Sequence, residues 1–235
     1  MTTIVMTVRL IFILTFFGLT STFNNHKTNK PSQLIAILDT IPEKQTFEIL
    51  CDSVYKNKNY KIIQDYYPDG MGNDIGDNNT IFTFTKSDNS NIKIIFNDTL
   101  YSRTGEIEFR DFNGDNVKDI LVQNISDVRS NWTYYLYLVD TTHDKLKKIK
   151  GFEEIKNPNY LPQYNLIDNY VMSGKNWTSF YKLQADSIKD FGIVIYDDRI
   201  LGGSHADNEQ ATTNNYDREY RRAINSIISK SKNNR

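Results

Sequence analysis

Five residues in one short loop, Asp111, Asn113, Asp115, Val117 and Asp119, have the types and the spacing to hold a cation. The loop reads Asp111-Phe112-Asn113-Gly114-Asp115-Asn116-Val117-Lys118-Asp119, with oxygen-bearing side chains at positions 1, 3, 5 and 9. Calcium is a hard cation that takes about six to eight oxygens. Odd positions in a tight loop turn several side-chain oxygens toward one centre. Val117 at position 7 offers its backbone carbonyl and leaves its side chain for the core. Gly114 lets the backbone bend where a side chain would resist, and Asp119 closes the site directly or through water. The set favours Ca2+ over magnesium, which wants a stricter octahedron and keeps its waters. Position 12 is Val122 and no helical pattern flanks the loop, so it is not an EF-hand. The plain alternative is an Asp/Asn-rich hairpin turn without metal. A second acidic cluster, Asp69, Asn73, Asp74 and Asp77, fits no metal template, and its glycines suit turns.

Other chemistry is sparse. His26, His143 and His205 are scattered, and there is no Gly-x-Ser-x-Gly elbow, His-Glu-x-x-His or phosphate loop. Ser204, His205 and Asp207 are close in sequence, but a triad needs them arranged in space, and their surroundings read as a flexible polar loop. Abundant acids leave a two-carboxylate glycosidase open. The single cysteine, Cys51, allows no intramolecular disulfide and no zinc site built on paired cysteines. It reads as a small buried apolar residue. The 29 acids nearly cancel the 28 Lys and Arg, so no whole-chain field attracts nucleic acid or an anionic membrane.

The elements that must position the loop read as strands. Phe47–Cys51 and Tyr60–Tyr66 flank the turn Lys56-Asn57-Lys58-Asn59, although Phe47, Leu50 and Val54 also fit a helix. Thr80–Lys86 and Ile92–Phe96 flank Asp88-Asn89-Ser90 as a hairpin. Glu106–Phe112 enters the loop and Ile120–Ile125 leaves it. Trp132–Val139, Leu146–Ile149, Leu166–Met172, Trp177–Gln184 and Phe191–Tyr196 follow. Turn signals every ten residues or so predict a mainly β antiparallel meander, propeller-like or a sandwich. Asn131-Trp132-Thr133 and Asn176-Trp177-Thr178 recur about 45 residues apart, the period of blade-like repeats, though chance also yields such short pairs. At the C-terminus, Tyr216, Tyr220, Ala223, Ile224, Ile227 and Ile228 fall at helical spacing, with Arg218, Arg221 and Arg222 on a solvated face.

The N-terminus reads as an export signal. Leu10–Leu19 is an apolar run of h-region length, Arg9 precedes it, and small residues Thr20, Ser21 and Thr22 follow. The rival is an uncleaved anchor that would have to bury Arg9. The expected organisation is a signal peptide at 1–23, a disordered leader at 24–33, one mainly β domain at 34–229 that ends in the helix, and a frayed tail at 230–235. A 235-residue chain suits one such domain.

The stretch from Ile107 to Val122, with Asp-Phe-Asn-Gly-Asp followed by Asp119-Ile120-Leu121-Val122, resembles the calcium loop of FG-GAP and VCBS-type proteins. Position 6, usually Gly in that family, is Asn116 here, a mild change because Asn tolerates a left-handed backbone. A propeller of that family carries several copies and this chain has one. Over roughly Glu106–Tyr196 the chain is more similar to exported bacterial proteins with a single such loop. These include a periplasmic inhibitor of a lysozyme-like toxin. The resemblance implies a periplasmic or secreted protein whose calcium is structural and whose partner is another protein, such as a peptidoglycan hydrolase. An extracellular adhesion or assembly module, and more distantly a glycan-acting enzyme, are the alternatives. No inhibitory residue carries over.

Overall fold

A period of two in the apolar residues organises most of the chain, because successive side chains of a strand point to opposite faces. In the segment Tyr60–Tyr66, Tyr60, Ile62 and Gln64 are buried while the residues between them are half-buried. The computed structural model describes residues 43–68, 78–88, 91–197 and 206–233. They form three four-stranded antiparallel meanders and one helix. The first sheet holds β1 (Gln45–Leu50), β2 (Tyr60–Tyr66), β3 (Thr80–Asp88) and β4 (Asn91–Leu100). The second holds β5 (Ile107–Arg110), β6 (Asp119–Ser126), β7 (Trp132–Asp140) and β8 (Lys145–Ile149). The third holds β9 (Pro158–Leu161), β10 (Leu166–Asn169), β11 (Asn176–Gln184) and β12 (Ser187–Asp197), and α1 (Ala206–Asn233) follows. The mainly β meander with a C-terminal helix is therefore the fold. Each sheet takes its four strands in chain order, and no sheet among the described residues closes into a barrel.

Three apolar clusters lie in series between these layers. Ile62, Phe82 and Phe84 of the first sheet pack on Ile120, Val122, Tyr137 and Val139 of the second. Phe82 stacks on Tyr137 with centroids 4.8 Å apart. The opposite face of the second sheet, through Leu121 and Leu136, meets Ile167 of the third, with Phe152 and Ile155 of the connecting segment between them. Leu166, Phe180 and Ile195 on the far face of the third sheet receive Ala223, Ile224 and Ile227 of α1. The second sheet is thus covered on both sides, which explains why β6 is buried over six successive residues rather than alternately. Each fully buried large apolar side chain contributes about 1.5–3 kcal/mol, so the middle sheet anchors whatever its loops carry.

Where the structure departs from the sequence reading, the cause is local. Strand β9 and the 3-10 turn Phe152–Glu154 carry no alternation, and Pro158 opens β9. Proline is tolerated there because β9 is the edge of its sheet, where no ladder N–H is needed. The helix runs from Ala206 to Asn233, beyond the apolar stripe at both ends. The polar residues before Tyr216 have no Gly or Pro to stop it, and the tail expected to fray from Lys230 stays helical to Asn233. The two Asn-Trp-Thr triplets sit at matching places, the start of the third strand in the second and third sheets. Asn79, just before β3, holds that place in the first sheet, and all three Asn are buried. The signal peptide, the leader, the acidic cluster Asp69–Asp77, Ser204 and His205 lie outside the described residues.

Candidate metal loop between β5 and β6

The ladder Ile107↔Val122, Glu108↔Leu121, Phe109↔Ile120 and Arg110↔Asp119 makes residues 111–118 the connection of an antiparallel hairpin, a strand–loop–strand unit. Within it the acidic and amide side chains fold the backbone around themselves. Asp111 Oδ1 accepts from the N–H groups of Asn113 (3.1 Å) and Gly114 (2.7 Å), and its Oδ2 from Asn116 N–H (2.9 Å). Asn113 Oδ1 accepts from Asp115 N–H (3.0 Å), and Asp115 Oδ1 from Val117 N–H (2.8 Å). These are successive Asx turns, the local bonding that makes Asp and Asn turn residues. Gly114 (φ 78°) and Asn116 (φ 66°) take the left-handed conformations that close the loop. Val117 packs its side chain on the first apolar cluster, as its place in the loop predicts.

Asp119 differs from its neighbours. It is wholly buried. Its Oδ2 accepts from Phe112 N–H (2.8 Å) across the loop, and its Oδ1 from Val139 N–H (3.1 Å) on β7. Burial pushes its carboxyl up to about 7; the two N–H bonds oppose this, and the charges of Asp115 and Asp111 add to it.

Two further groups clamp the loop, and neither was legible in the sequence. Tyr55, in the turn after β1, donates its hydroxyl to Lys118 O (2.7 Å). Tyr160, on β9, donates to Asn165 Oδ1 (3.2 Å) and packs its ring 6.2 Å from Phe112. Burial raises its phenol pKa, and the charges of Asp111, Asp115 and Asp119 add to the shift. Phe112 itself is buried edge-on against Phe152, at 5.1 Å, under the Arg110 guanidinium. The loop is thus held from the first sheet, from β7 and from the third sheet. A hollow of about 500 Å³ opens beside it, lined by Asn113, Asp115, Val117, Leu138, Asp140 and Lys145 among others.

The donor chemistry suits a hard cation: carboxylates at 111, 115 and 119, an amide oxygen at 113 and a carbonyl at 117. Asn113 Nδ2 also donates to Asp115 Oδ2 (2.8 Å). The oxygens of this loop are turned to its own N–H groups. Among the described residues, no three Asp, Glu, His or Cys side chains converge on a single point.

Gly114 supplies a direct test of this packing. A Cβ there would lie 2.6 Å from the Tyr160 hydroxyl, on a backbone that L residues rarely adopt. Gly114→Ala is expected to cost about 2 kcal/mol, read as a lower urea midpoint. A variant as stable as the parent would show that Tyr160 does not pin the loop.

The remaining candidates are structural. Cys51 is buried in the first cluster and burial pushes its thiol up to about 11, so it stays protonated. Asp140 caps the turn that holds His143, accepting from its N–H (3.0 Å) and lying 2.6 Å from its ring. Arg218 and Arg222 lie beside Glu219 on the exposed side of α1. Among the described residues no helix is long and apolar enough to cross a membrane. The chain matches no family model and no curated protein.

Proposed function

We propose that this chain is an exported, calcium-stabilised protein-binding module, in which Asp111, Asn113, Asp115, the Val117 carbonyl and Asp119 hold the ion. The observation that carries the reading is Asp119. A wholly buried carboxylate, bonded to Phe112 N–H in the loop and to Val139 N–H on β7, shares a nine-residue turn with two further carboxylates whose charges add to its raised pKa. A hairpin turn alone needs no buried acid. A divalent cation would supply the opposite charge that three carboxylates on one short loop lack, drawing in oxygens now turned to the loop's own N–H groups. The ion's role is structural: it fixes a loop already clamped by three layers, so that the surface around it keeps one shape. The apolar run before residue 23 supports export, and the likeness to single-loop inhibitors makes a peptidoglycan hydrolase the first partner to try.

Calorimetric titration tests the ion. Calcium is expected to bind in the presence of excess magnesium, and Asp115→Ala to abolish the heat. Absence of calcium binding to the parent would reduce the loop to an ordinary turn. The partner is tested by inhibition of a broad lysozyme panel, run in calcium and in chelator. Calcium binding without inhibition of any hydrolase would leave the metal reading standing and remove the hydrolase.

A further inference from the structure

Lys182 on β11 and Lys189 on β12 stand directly opposite each other in the third sheet. Side chains two residues apart on a strand share a face. Phe180 and Phe191, two residues from Lys182 and Lys189 in turn, lie on the α1 face of the sheet, so both lysines belong to that face. Like charges directly opposite on paired strands repel and cost stability. The first sheet has such a pair too, Lys86↔Lys93, and there an acid stands beside it: Lys86 meets Asp144 at 2.8 Å. Among the described residues no acid is paired with Lys182 or Lys189. Asp186, in the turn between their strands, is held by Lys150 at 3.6 Å, and Asp190 turns its Oδ1 to Gly192 N–H at 2.7 Å.

A hollow of about 480 Å³ opens between this hairpin and the last turns of α1. Lys230 lines it from the helix, and Phe191, Ile193 and Ile227 supply an apolar wall. Three lysines thus share one partly apolar hollow with a single aspartate that is already engaged. What the cluster lacks is negative charge.

We infer that this groove binds an extended acidic segment of a partner protein, with carboxylates set among Lys182, Lys189 and Lys230 and apolar side chains against Phe191 and Ile193. It gives the protein-binding module proposed above a docking surface, and it rests on that part of the reading rather than on the ion. The groove lies on the face of the third sheet turned away from the second sheet, which carries the metal loop. Charge selects an acidic occupant. The apolar wall selects one with apolar groups beside its charges, which inorganic phosphate lacks. Lys189 and Lys230 are exposed while Lys182 is half-buried between the strands and the helix, so the site is a recessed groove. A flat anionic bilayer does not reach into it, whereas an extended chain does. Lysine suits this use because its ammonium is a point charge on a flexible stem, able to follow a carboxylate without a fixed fork geometry.

The test is fluorescence anisotropy of a labelled peptide that alternates glutamate and leucine, titrated with the protein recovered from expression of the full chain. Saturable binding is expected, weaker as salt rises and equal in calcium and in chelator. Lys182→Glu should weaken it at least about tenfold. The same variant without peptide should melt no lower than the parent, because the substitution turns a repulsive cross-strand pair into an attractive one. Loss of binding is thereby kept apart from loss of fold. Lys93→Glu makes the same change of charge in the first sheet and should leave binding unaltered. A parent that does not bind the peptide overturns the inference, as does equal binding to a lysine–leucine counterpart. So does binding that survives Lys182→Glu, or uptake on phosphatidylglycerol vesicles in place of the peptide. Asp115→Ala should bind the peptide as the parent does; loss of binding there would move the contact to the metal loop and overturn the groove. Calcium binding without peptide binding would likewise remove the groove and leave the ion.

Discussion

Replacing Asp119 with alanine should lower stability by about 3 kcal/mol even with calcium removed. The substitution leaves Phe112 N–H and Val139 N–H buried without their acceptor. Each orphaned donor costs about 1–3 kcal/mol. Part of this is offset, because the carboxylate was itself held against its desolvation, as its raised pKa records. For a domain of this length the loss corresponds to a fall in melting temperature of about 10 °C. Asp115→Ala is the counterpart. Its two oxygens bond Val117 N–H and the Asn113 amide in an exposed part of the loop, where water replaces them. Its cost in chelator is expected to stay below about 1 kcal/mol. In saturating calcium both variants should lose the further stabilisation that the parent gains, about 2.7 kcal/mol at an ion concentration a hundredfold above the dissociation constant. Urea unfolding in chelator and in calcium separates the two roles. If Asp119→Ala matched the parent in chelator, the carboxylate would not be tying the loop to β7. If calcium stabilised Asp115→Ala as much as the parent, the loop oxygens would not be its ligands.

The sequence revealed the loop but not its clamps, because the two are written differently. Asp111, Asn113, Gly114 and Asp115 are local: their hydrogen bonds close within a few residues, so spacing alone predicts the turn. Tyr60–Tyr66, with its alternating burial, was legible for the same reason, and Trp132–Asp140 by its run of aromatic and aliphatic residues. Tyr55 and Tyr160 act across 63 and nearly 50 residues of chain, and nothing near them in sequence marks the contact. Strand β9 was hidden because Pro158-Asn159-Tyr160-Leu161 has no period, and its pairing with β10 comes from a short turn between them. The order of layers follows from which face each alternation presents, and a one-dimensional pattern names two faces without saying what covers either. The Asn-Trp-Thr triplets lie between these cases. Their period was visible, but the place of Asn at the start of a blade's third strand appears only when Asn79 is found at the same position.

That position leads to the second large effect, Asn131→Ala, expected to cost about 3 kcal/mol. Asn131 is 1 % exposed and joins three segments. Its Nδ2 donates to Asp127 Oδ1 (3.0 Å) and Oδ2 (2.8 Å) and to Met172 O (2.8 Å). Its Oδ1 accepts from Met172 N–H (2.8 Å) and from Asn157 Nδ2 (3.0 Å). Through it the loop before β7 holds the turn between β10 and β11, so the second sheet is latched to the third at their ends. Asn176 makes fewer such bonds, to Ser173 N–H (2.9 Å) and the Tyr170 hydroxyl (2.9 Å), and Asn176→Ala should cost about half as much. The two are also separable by pH. The Asn131 amide first, then Lys156 at 2.9 Å, hold the Asp127 carboxyl well below the usual carboxylate range. A carboxylate whose folded pKa is depressed adds stability above its unfolded pKa, near 3.9, and loses it as the pH falls through the folded value. Asp140 and Asp144 are shifted the same way, by His143 and by Lys86 with Tyr60, so the parent loses the contribution of all three as the pH falls below about 4. Asp119, raised to about 7, instead adds stability as the pH falls toward about 4. Removing Asn131 lets Asp127 rise toward its ordinary value, and the acid decline should become shallower while the neutral stability drops. Asn176→Ala should leave the slope of that decline unchanged. Urea midpoints between pH 2 and 7 decide it: an Asn131→Ala profile as steep as the parent's would mean that the latch does not run through Asp127.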